Sequence, residues 1–90
     1  MRAVKAAGSQ ARVVTLDTNK QLIPEIENGS VRWAIDQQPY LQGHEAIDTL
    51  CLMIRDGDIL GGGKPVLTGP TFIDARNVKS IAAFAEKGTR

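Results

Sequence analysis

Strand-like and helix-like stretches alternate along this chain, and the alternation limits the folds open to it. The strand-like stretches are rich in β-branched and apolar residues without polar alternation, which is typical of strands buried on both faces. The order strand, helix, strand, helix, strand indicates right-handed βαβ units on a parallel sheet, and we therefore predict the α/β class. The predicted elements are a helix end at 1–7, strands at 12–16, 31–35 and within 66–73, and helices at about 19–28, 40–55 and 77–87.

The length of the chain, 90 residues, allows one small domain at most. A chain of that size buries roughly 60–65% of its surface on folding, and three strands form a small sheet. We therefore expect residues 1–90 to be a single incomplete domain with little stability to spare. Because unpaired strand edges are templates for association, self-association is a further expectation.

Composition excludes several classes of function. Net charge is +1 with Lys and Arg scattered, whereas a nucleic-acid surface usually shows a basic stripe, so we expect no nucleic-acid partner. Cys51 and His44 are the only residues of their types, which rules out a disulfide and a Cys- or His-rich metal site, and no cofactor is expected. Cys51 is expected to be buried.

No apolar run reaches membrane-spanning length and no signal peptide follows Met1, so the chain as written is expected to be cytoplasmic.

Enzymatic chemistry finds little support in the sequence. The loop Gly61–Lys64 lacks the Ser or Thr that follows the lysine of a phosphate-binding loop, because Pro65 stands there. No partner that would orient His44 for nucleophilic catalysis is evident. Asp17 and Asp36 offer a carboxylate pair, but no apolar pocket that would raise the pKa of one is apparent. We therefore predict a non-enzymatic protein.

Polar side chains follow the first two predicted strands. Asp17 comes directly after the first strand, and Gln37 follows the second within Asp36–Gln38. Ligands of open α/β sheets bind outside the carboxyl ends of the strands, and a carboxylate with a carboxamide suits a neutral polyhydroxylated ligand. The alternative is that Asp17 and Gln37 only cap the helices that follow them.

Four stretches of the chain, in this order, carry a resemblance to a known family: Arg2–Gly8, Val14–Asp17, Trp33–Gly43 with its Gln-Gln-Pro-Tyr run, and Thr68–Val78. Together they resemble the type I periplasmic sugar-binding proteins, and the resemblance covers nearly the whole chain. These ribose-binding-like proteins are the substrate-binding components of ABC sugar importers and share their fold with the ligand domains of LacI-type repressors.

The resemblance implies a two-lobed clamshell that closes on a sugar or polyol, with this chain as the C-terminal portion of one lobe and about 66–76 as a crossover segment. Asp17 corresponds to the family's sugar-binding aspartate. Gln37 corresponds to the glutamine that the family has just before the proline. Tyr40 is expected at the rim of the cleft. The full-length family is periplasmic and docks on a membrane permease, and it uses no cofactor.

Members of that family are much longer than this chain, which is expected to keep only half of the ligand cleft. Two other functions stay open. One is the effector-binding lobe of a LacI-type transcriptional regulator, which needs a DNA-reading helix-turn-helix that the sequence does not contain. The other is an assembly module that acts through its exposed sheet edge rather than through a cleft.

Overall fold

A computed structural model describes residues 1–90 and contains the predicted strands and helices in the predicted order. Three strands and four α-helices alternate, with one short 3₁₀ turn between α3 and β3. The elements are α1 (Arg2–Ala6), β1 (Val13–Leu16), α2 (Leu22–Glu27), β2 (Val31–Asp36), α3 (Pro39–Asp56), the 3₁₀ turn (Gly61–Gly63), β3 (Thr71–Asp74) and α4 (Val78–Glu86).

Local sequence accounts for where the helices begin. Asn19 accepts hydrogen bonds from the backbone N–H groups of Gln21 and Leu22 through its side-chain oxygen, so α2 begins three residues later than its apolar spacing predicts. Pro39 is the first residue of α3, a position where its missing N–H costs nothing.

The sheet has the order β1-β2-β3. β1 and β2 are parallel, as predicted, but β3 runs antiparallel to β2, which differs from the fully parallel sheet we expected. The reason lies in the connection between β2 and β3. The chain leaves the sheet at the carboxyl end of β2, runs out along α3 and returns to the same end, where Thr71 pairs with Asp36. A parallel third strand would need a crossover to the opposite end.

The core lies on the face of the sheet that α2 and α4 cover. Ala34 of β2 and Ile73 of β3 are register partners and are both fully buried. α4 buries Val78, Ile81 and Ala85, whereas Phe84 is exposed because it falls one position off that helical stripe. The eight buried apolar residues are Ile23, Ile26, Val31, Ala34, Ile73, Val78, Ile81 and Ala85.

The other face of the sheet is open, so the prediction of strands buried on both faces is wrong. Val14, Leu16 and Phe72 lie on this face and are between 48% and 67% exposed. Trp33 is half-buried there and makes an edge-to-face contact with Phe72, with ring centroids 5.4 Å apart.

α3 also differs from the prediction, because none of its residues is buried. Cys51, which we expected to be buried, is exposed, because the helix leads away from the sheet. The same holds for the apolar residues that share its helical face, Ile47, Leu50 and Ile54. The radius of gyration is 17.1 Å with extents of 58 × 25 × 21 Å, whereas a compact chain of this length has a radius of about 12 Å.

Two further features concern membranes and metals. Measured by length and hydropathy together, every helix falls short of what a membrane-spanning segment requires. No three potential metal-ligating side chains come together.

Candidate functional site

Asp17 stands at the carboxyl end of β1 in the left-handed backbone region, with a φ of 62°. Its backbone N–H donates to the Ile35 carbonyl at 2.7 Å, so it is tied to the end of β2. A non-glycine residue in this conformation costs roughly 1–2 kcal/mol, and such strain concentrates at functional sites. The strain makes Asp17 a candidate functional residue, although aspartate adopts this region more readily than most residues.

The structure brings Asp17 and Gln37 together at the predicted edge. The Gln37 carboxamide donates from Nε2 to Asp17 Oδ1 at 2.9 Å, in an exposed hydrogen bond between residues 20 positions apart. The capping alternative is wrong for both residues, because Asn19 supplies the bonds at the start of α2 and no side chain caps α3. The oxygens Asp17 Oδ2 and Gln37 Oε1 accept no hydrogen bond from the protein. We define Asp17 and Gln37 as the polar pair.

The turn after Gln37 holds the polar pair in place. Gln38 is the second non-glycine residue with a positive φ, at 59°, and it leads directly into Pro39 of α3. Its backbone N–H donates to Asp36 Oδ1 at 2.9 Å, and its side-chain Nε2 donates to the Thr68 carbonyl. These bonds offset the strain of the left-handed turn.

The return segment 66–70 passes directly behind this turn. Thr68 Oγ1 donates to the Gln37 carbonyl at 2.7 Å, and Gln42 Nε2 donates to the same carbonyl at 3.1 Å. A Cβ at Gly69 would lie 3.0 Å from the Asp36 carbonyl oxygen, which is tighter than nearly all Cβ contacts in proteins. The lack of a side chain at Gly69 therefore favours the close approach of the return segment to the end of β2.

Sequence reasoning missed Thr68 and Gly69 as parts of this site. Their signal lies in the stretch Thr68–Val78, which resembles the sugar-binding family. The resemblance assigns that stretch to a crossover and not to the binding edge. A threonine hydroxyl and a glycine are common in any loop, so only their contacts reveal their role.

Asp36 does not form a carboxylate pair with Asp17 at this edge. Its side chain is fully buried on the core side of the sheet, where Oδ2 accepts a hydrogen bond from Arg90 Nε at 2.9 Å. A paired, buried carboxylate has no access to a ligand held by the polar pair. The structure therefore gives the two-carboxylate chemistry of glycoside hydrolysis no second acid.

Tyr40 lies in the first turn of α3 and is 57% exposed. It makes no hydrogen bond with Asp17 or Gln37. Its phenol ring is free to face a ligand, and its place at the rim of a cleft stays a prediction.

A carboxylate with a lowered pKa, Asp74, lies at the opposite end of β3 from the polar pair. Arg76 hydrogen-bonds the Asp74 carboxylate at 2.6 Å and holds the pKa of that carboxyl below its usual value. Asp74 pairs with Trp33 in the sheet register, far along the strand from Asp36. The Asp74–Arg76 pair is thus a separate surface ion pair.

The polar pair forms an open edge rather than an enclosed pocket. No cavity of the chain is lined by Asp17 or Gln37, and the largest, about 560 Å³, lies between α3 and the return segment. Two unused acceptors side by side suit the hydroxyl donors of a polyol. The edge thus presents these two acceptors to solvent on one side.

Comparison with solved structures identifies a close relative. The chain is 57% identical, with a TM-score of 0.94, to a carbohydrate transporter from Acidothermus cellulolyticus 11B that was crystallised in complex with myo-inositol. The match covers 99% of this chain but 31% of the transporter, so the chain spans about a third of that relative's length. No protein-family model and no curated protein matches the chain.

This match bears directly on three of the predictions. The α/β class is confirmed, since the transporter has the same fold over the matched region. A transporter as relative agrees with the prediction of a non-enzymatic protein. The resemblance to the sugar-binding proteins of carbohydrate importers is confirmed, since this chain is similar in sequence and in fold to about a third of a carbohydrate transporter.

Proposed function

We propose that this chain forms one wall of the ligand cleft in the substrate-binding component of an ABC-type sugar importer. The observation that carries the proposal is the hydrogen bond between Gln37 and Asp17 at the carboxyl ends of β1 and β2. Ligands of open α/β sheets bind at this end of the strands. The 57% identity to a carbohydrate transporter supports transport over the LacI-type regulator as the alternative.

The ligand class that fits the polar pair is a sugar or cyclic polyol. Asp17 Oδ2 and Gln37 Oε1 accept hydroxyl protons, and a charged acceptor makes the stronger hydrogen bond of the two. The relative's complex with myo-inositol supports a polyol of this kind. Tyr40 adds an exposed aromatic ring three residues beyond Gln37, suited to covering an apolar face of a sugar ring.

The other wall of the cleft belongs to the same proposal. An open edge with two acceptors satisfies few of a polyol's hydroxyl groups, so a second lobe supplies the rest. The resemblance assigns residues 66–76 to a crossover between the lobes, and because Thr71–Asp74 form β3 of this sheet, the stretch 66–70 is the part that lies outside the sheet and leads toward that lobe. A membrane permease as partner and a location outside the cytoplasmic membrane follow from the family resemblance.

Titration of the chain with myo-inositol, followed by ¹H–¹⁵N NMR, tests the proposal. One wall is expected to bind with a Kd on the order of 1 mM, with shifts confined to residues around Asp17 and Gln37. Asp17→Asn keeps the shape and the left-handed turn but removes the charged acceptor, so binding weakens by about tenfold. Asp58→Asn, at an exposed carboxylate in the loop after α3, is the matched control and leaves binding unchanged.

Two outcomes contradict the proposal. One is an absence of shifts at the polar pair up to about 50 mM polyol, well above a millimolar Kd. The other is binding that Asp17→Asn and Asp58→Asn weaken to the same extent. Ribose and glucose titrated in parallel report which ring the wall prefers.

An assembly role is the second candidate, favoured by the exposed apolar surface. The accessible area is 6765 Å², about 1,700 Å² more than the roughly 5,100 Å² of a compact monomer of this mass. A dimer interface buries about 800 Å² on each partner. Light scattering that gives a stable dimer, together with no response to polyols, would favour assembly over ligand binding.

A further inference from the structure

We propose that Arg90 is a positioning residue for the polyol-binding edge. Its guanidinium neutralises the buried Asp36 carboxylate, and that carboxylate holds the Gln38 turn that places Gln37 against Asp17. The inference rests on the proposed function for its link to polyol binding. Its geometric part concerns the ligand-free protein and is tested separately.

The burial of Asp36 is the first step. It is the only polar or charged residue in the chain that is buried, with an exposure of 0%. An ionised carboxylate taken out of water is unfavourable unless a cation and hydrogen-bond donors compensate it. Arg90 is the only cation within salt-bridge distance, with Nε 2.9 Å from Asp36 Oδ2. Removal of Arg90 therefore leaves a buried charge without its counterion.

The second step is that the two carboxylate oxygens of Asp36 have different hydrogen-bond partners. Oδ2 faces Arg90, while Oδ1 accepts the backbone N–H of Gln38 at 2.9 Å. Because Gln38 has a positive φ, its turn depends on the bonds that offset its strain. A carboxylate that turns toward water after loss of Arg90 gives up the Gln38 N–H.

The third step links this turn to the polar pair. Gln37 directly precedes Gln38, and its side chain spans the gap to Asp17 Oδ1 at 2.9 Å. The peptide group between Gln37 and Gln38 is held at its carbonyl by Thr68 and Gln42 and at its N–H by Asp36, so the backbone that carries the Gln37 side chain is fixed only while both sides are bonded. Loss of the turn therefore shifts the Gln37 carboxamide relative to Asp17 and separates the two free acceptors.

Arg90 lies outside the apolar core, which argues against a general structural role. The residues that fasten α4 to α2 and the sheet are Val78, Ile81 and Ala85, all earlier in the chain. The Arg90 side chain is 27% exposed and approaches Asp36 across 54 positions of sequence. Its contact is with the strand end that carries the binding residues.

The test compares Arg90→Gln with Arg90→Lys, with the double variant Asp36→Asn/Arg90→Gln, and with Arg76→Gln. Arg76→Gln is the matched control, since it removes an arginine from an ion pair at the opposite end of the sheet. The first readout is the ¹H–¹⁵N signals of the Gln37 carboxamide and the Gln38 amide without ligand. The second readout is the Kd for myo-inositol.

We expect Arg90→Gln to shift both glutamine signals while those of Val78, Ile81 and Ile73 stay in place, and to weaken polyol binding about tenfold. Arg90→Lys retains the cation and stays within about threefold of the unmodified chain. The double variant restores most of the affinity, because the neutral carboxamide that Asp36→Asn introduces accepts the Gln38 N–H without a counterion. Arg76→Gln changes neither readout.

The proposal is overturned if Arg90→Gln leaves the glutamine signals unchanged, or if it moves the core signals equally, which would mark a merely structural residue. It is also overturned if the double variant binds no better than Arg90→Gln. If the unmodified chain binds no polyol but Arg90→Gln still shifts the two glutamine signals alone, the proposed function fails and the positioning role of Arg90 holds.

Discussion

The sheet with α2 and α4 and the outlying helix α3 carry similar apolar patterns but differ completely in burial. α4 buries residues at i, i+3 and i+7, while the stripe of α3 at i, i+3, i+4 and i+7 is exposed along its whole length. The difference teaches that periodicity identifies which face of a helix is apolar but not what covers it. In α4 the chain returns to the sheet, whereas in α3 it leaves the sheet and covers no part of it.

The largest expected effect is on stability, and it appears when the same Ile→Ala substitution is made in the sheet and in α3. Ile73→Ala, at a fully buried position of β3, is expected to destabilise the chain by about 2–5 kcal/mol through lost burial and a residual cavity. Ile54→Ala, at a position 80% exposed on α3, is expected to change stability by less than about 0.5 kcal/mol. Urea unfolding followed by Trp33 fluorescence measures both, and equal effects would mean that α3 is packed in solution.

A second pair of substitutions compares two glycines. Gly69→Ala places a methyl group 3.0 Å from the Asp36 carbonyl oxygen and is expected to cost about 1–3 kcal/mol, with shifted NMR signals at Gln37. Gly43→Ala lies in α3 with nothing within 4 Å and is expected to stabilise the helix by up to about 1 kcal/mol. If Gly69→Ala left the stability unchanged, Gly69 and the Asp36 carbonyl oxygen would be farther apart in solution than 3.0 Å.

The strained backbone at Asp17 predicts that its replacement raises stability and, under the proposed function, removes polyol binding. Asp17→Gly relieves the left-handed backbone conformation and is expected to stabilise the chain by about 1 kcal/mol while it abolishes polyol binding. Asp17→Asn serves as the control, because asparagine tolerates this conformation and its stability should lie between the two. Thermal unfolding measures the order of the three stabilities. An Asp17→Gly variant less stable than the unmodified chain would mean that the hydrogen bond between Asp17 and Gln37 stabilises the fold by more than the backbone strain destabilises it.

The smallest expected effect is a pH dependence at the surface of the sheet. Arg76 lowers the pKa of Asp74 in the folded chain, so this carboxyl stabilises the fold above its unfolded pKa of about 4. That contribution disappears as the pH falls through the lower, folded pKa. Arg76→Gln should remove this small part of the acid sensitivity, as urea midpoints at about pH 6 and pH 3 would report. An unchanged difference between the two midpoints would mean that the exposed pair is screened by solvent.

Much of the local structure was predictable because it depends on neighbouring residues. β1 and β2 lie within a residue or so of the predicted strands, and α3 begins at Pro39, one residue before its predicted start. β-branched runs favour strands wherever they occur, and proline favours the first turn of a helix. α2 is shorter than its apolar pattern predicts, because the Asn19 side-chain oxygen accepts hydrogen bonds from the backbone N–H groups of Gln21 and Leu22 and the helix begins only at Leu22.

The candidate site was predictable only in part. Asp17 and Gln37 stand directly after strands, and neighbouring parallel strands bring their ends together, so their proximity follows from the order of elements. Asp36 is different. Whether a carboxylate after a strand points to solvent or to the core depends on strand register, and its partner Arg90 is 54 residues away.

The amino-acid sequence alone therefore determines the strands, the helices and the polar residues at the strand ends, because each depends on contacts within a few residues. The antiparallel direction of β3, the exposure of α3 and the Asp36–Arg90 pair depend on where distant segments meet. Contacts between distant segments depend on how whole helices and strands pack, and the local periodicity of the sequence contains no information about that packing.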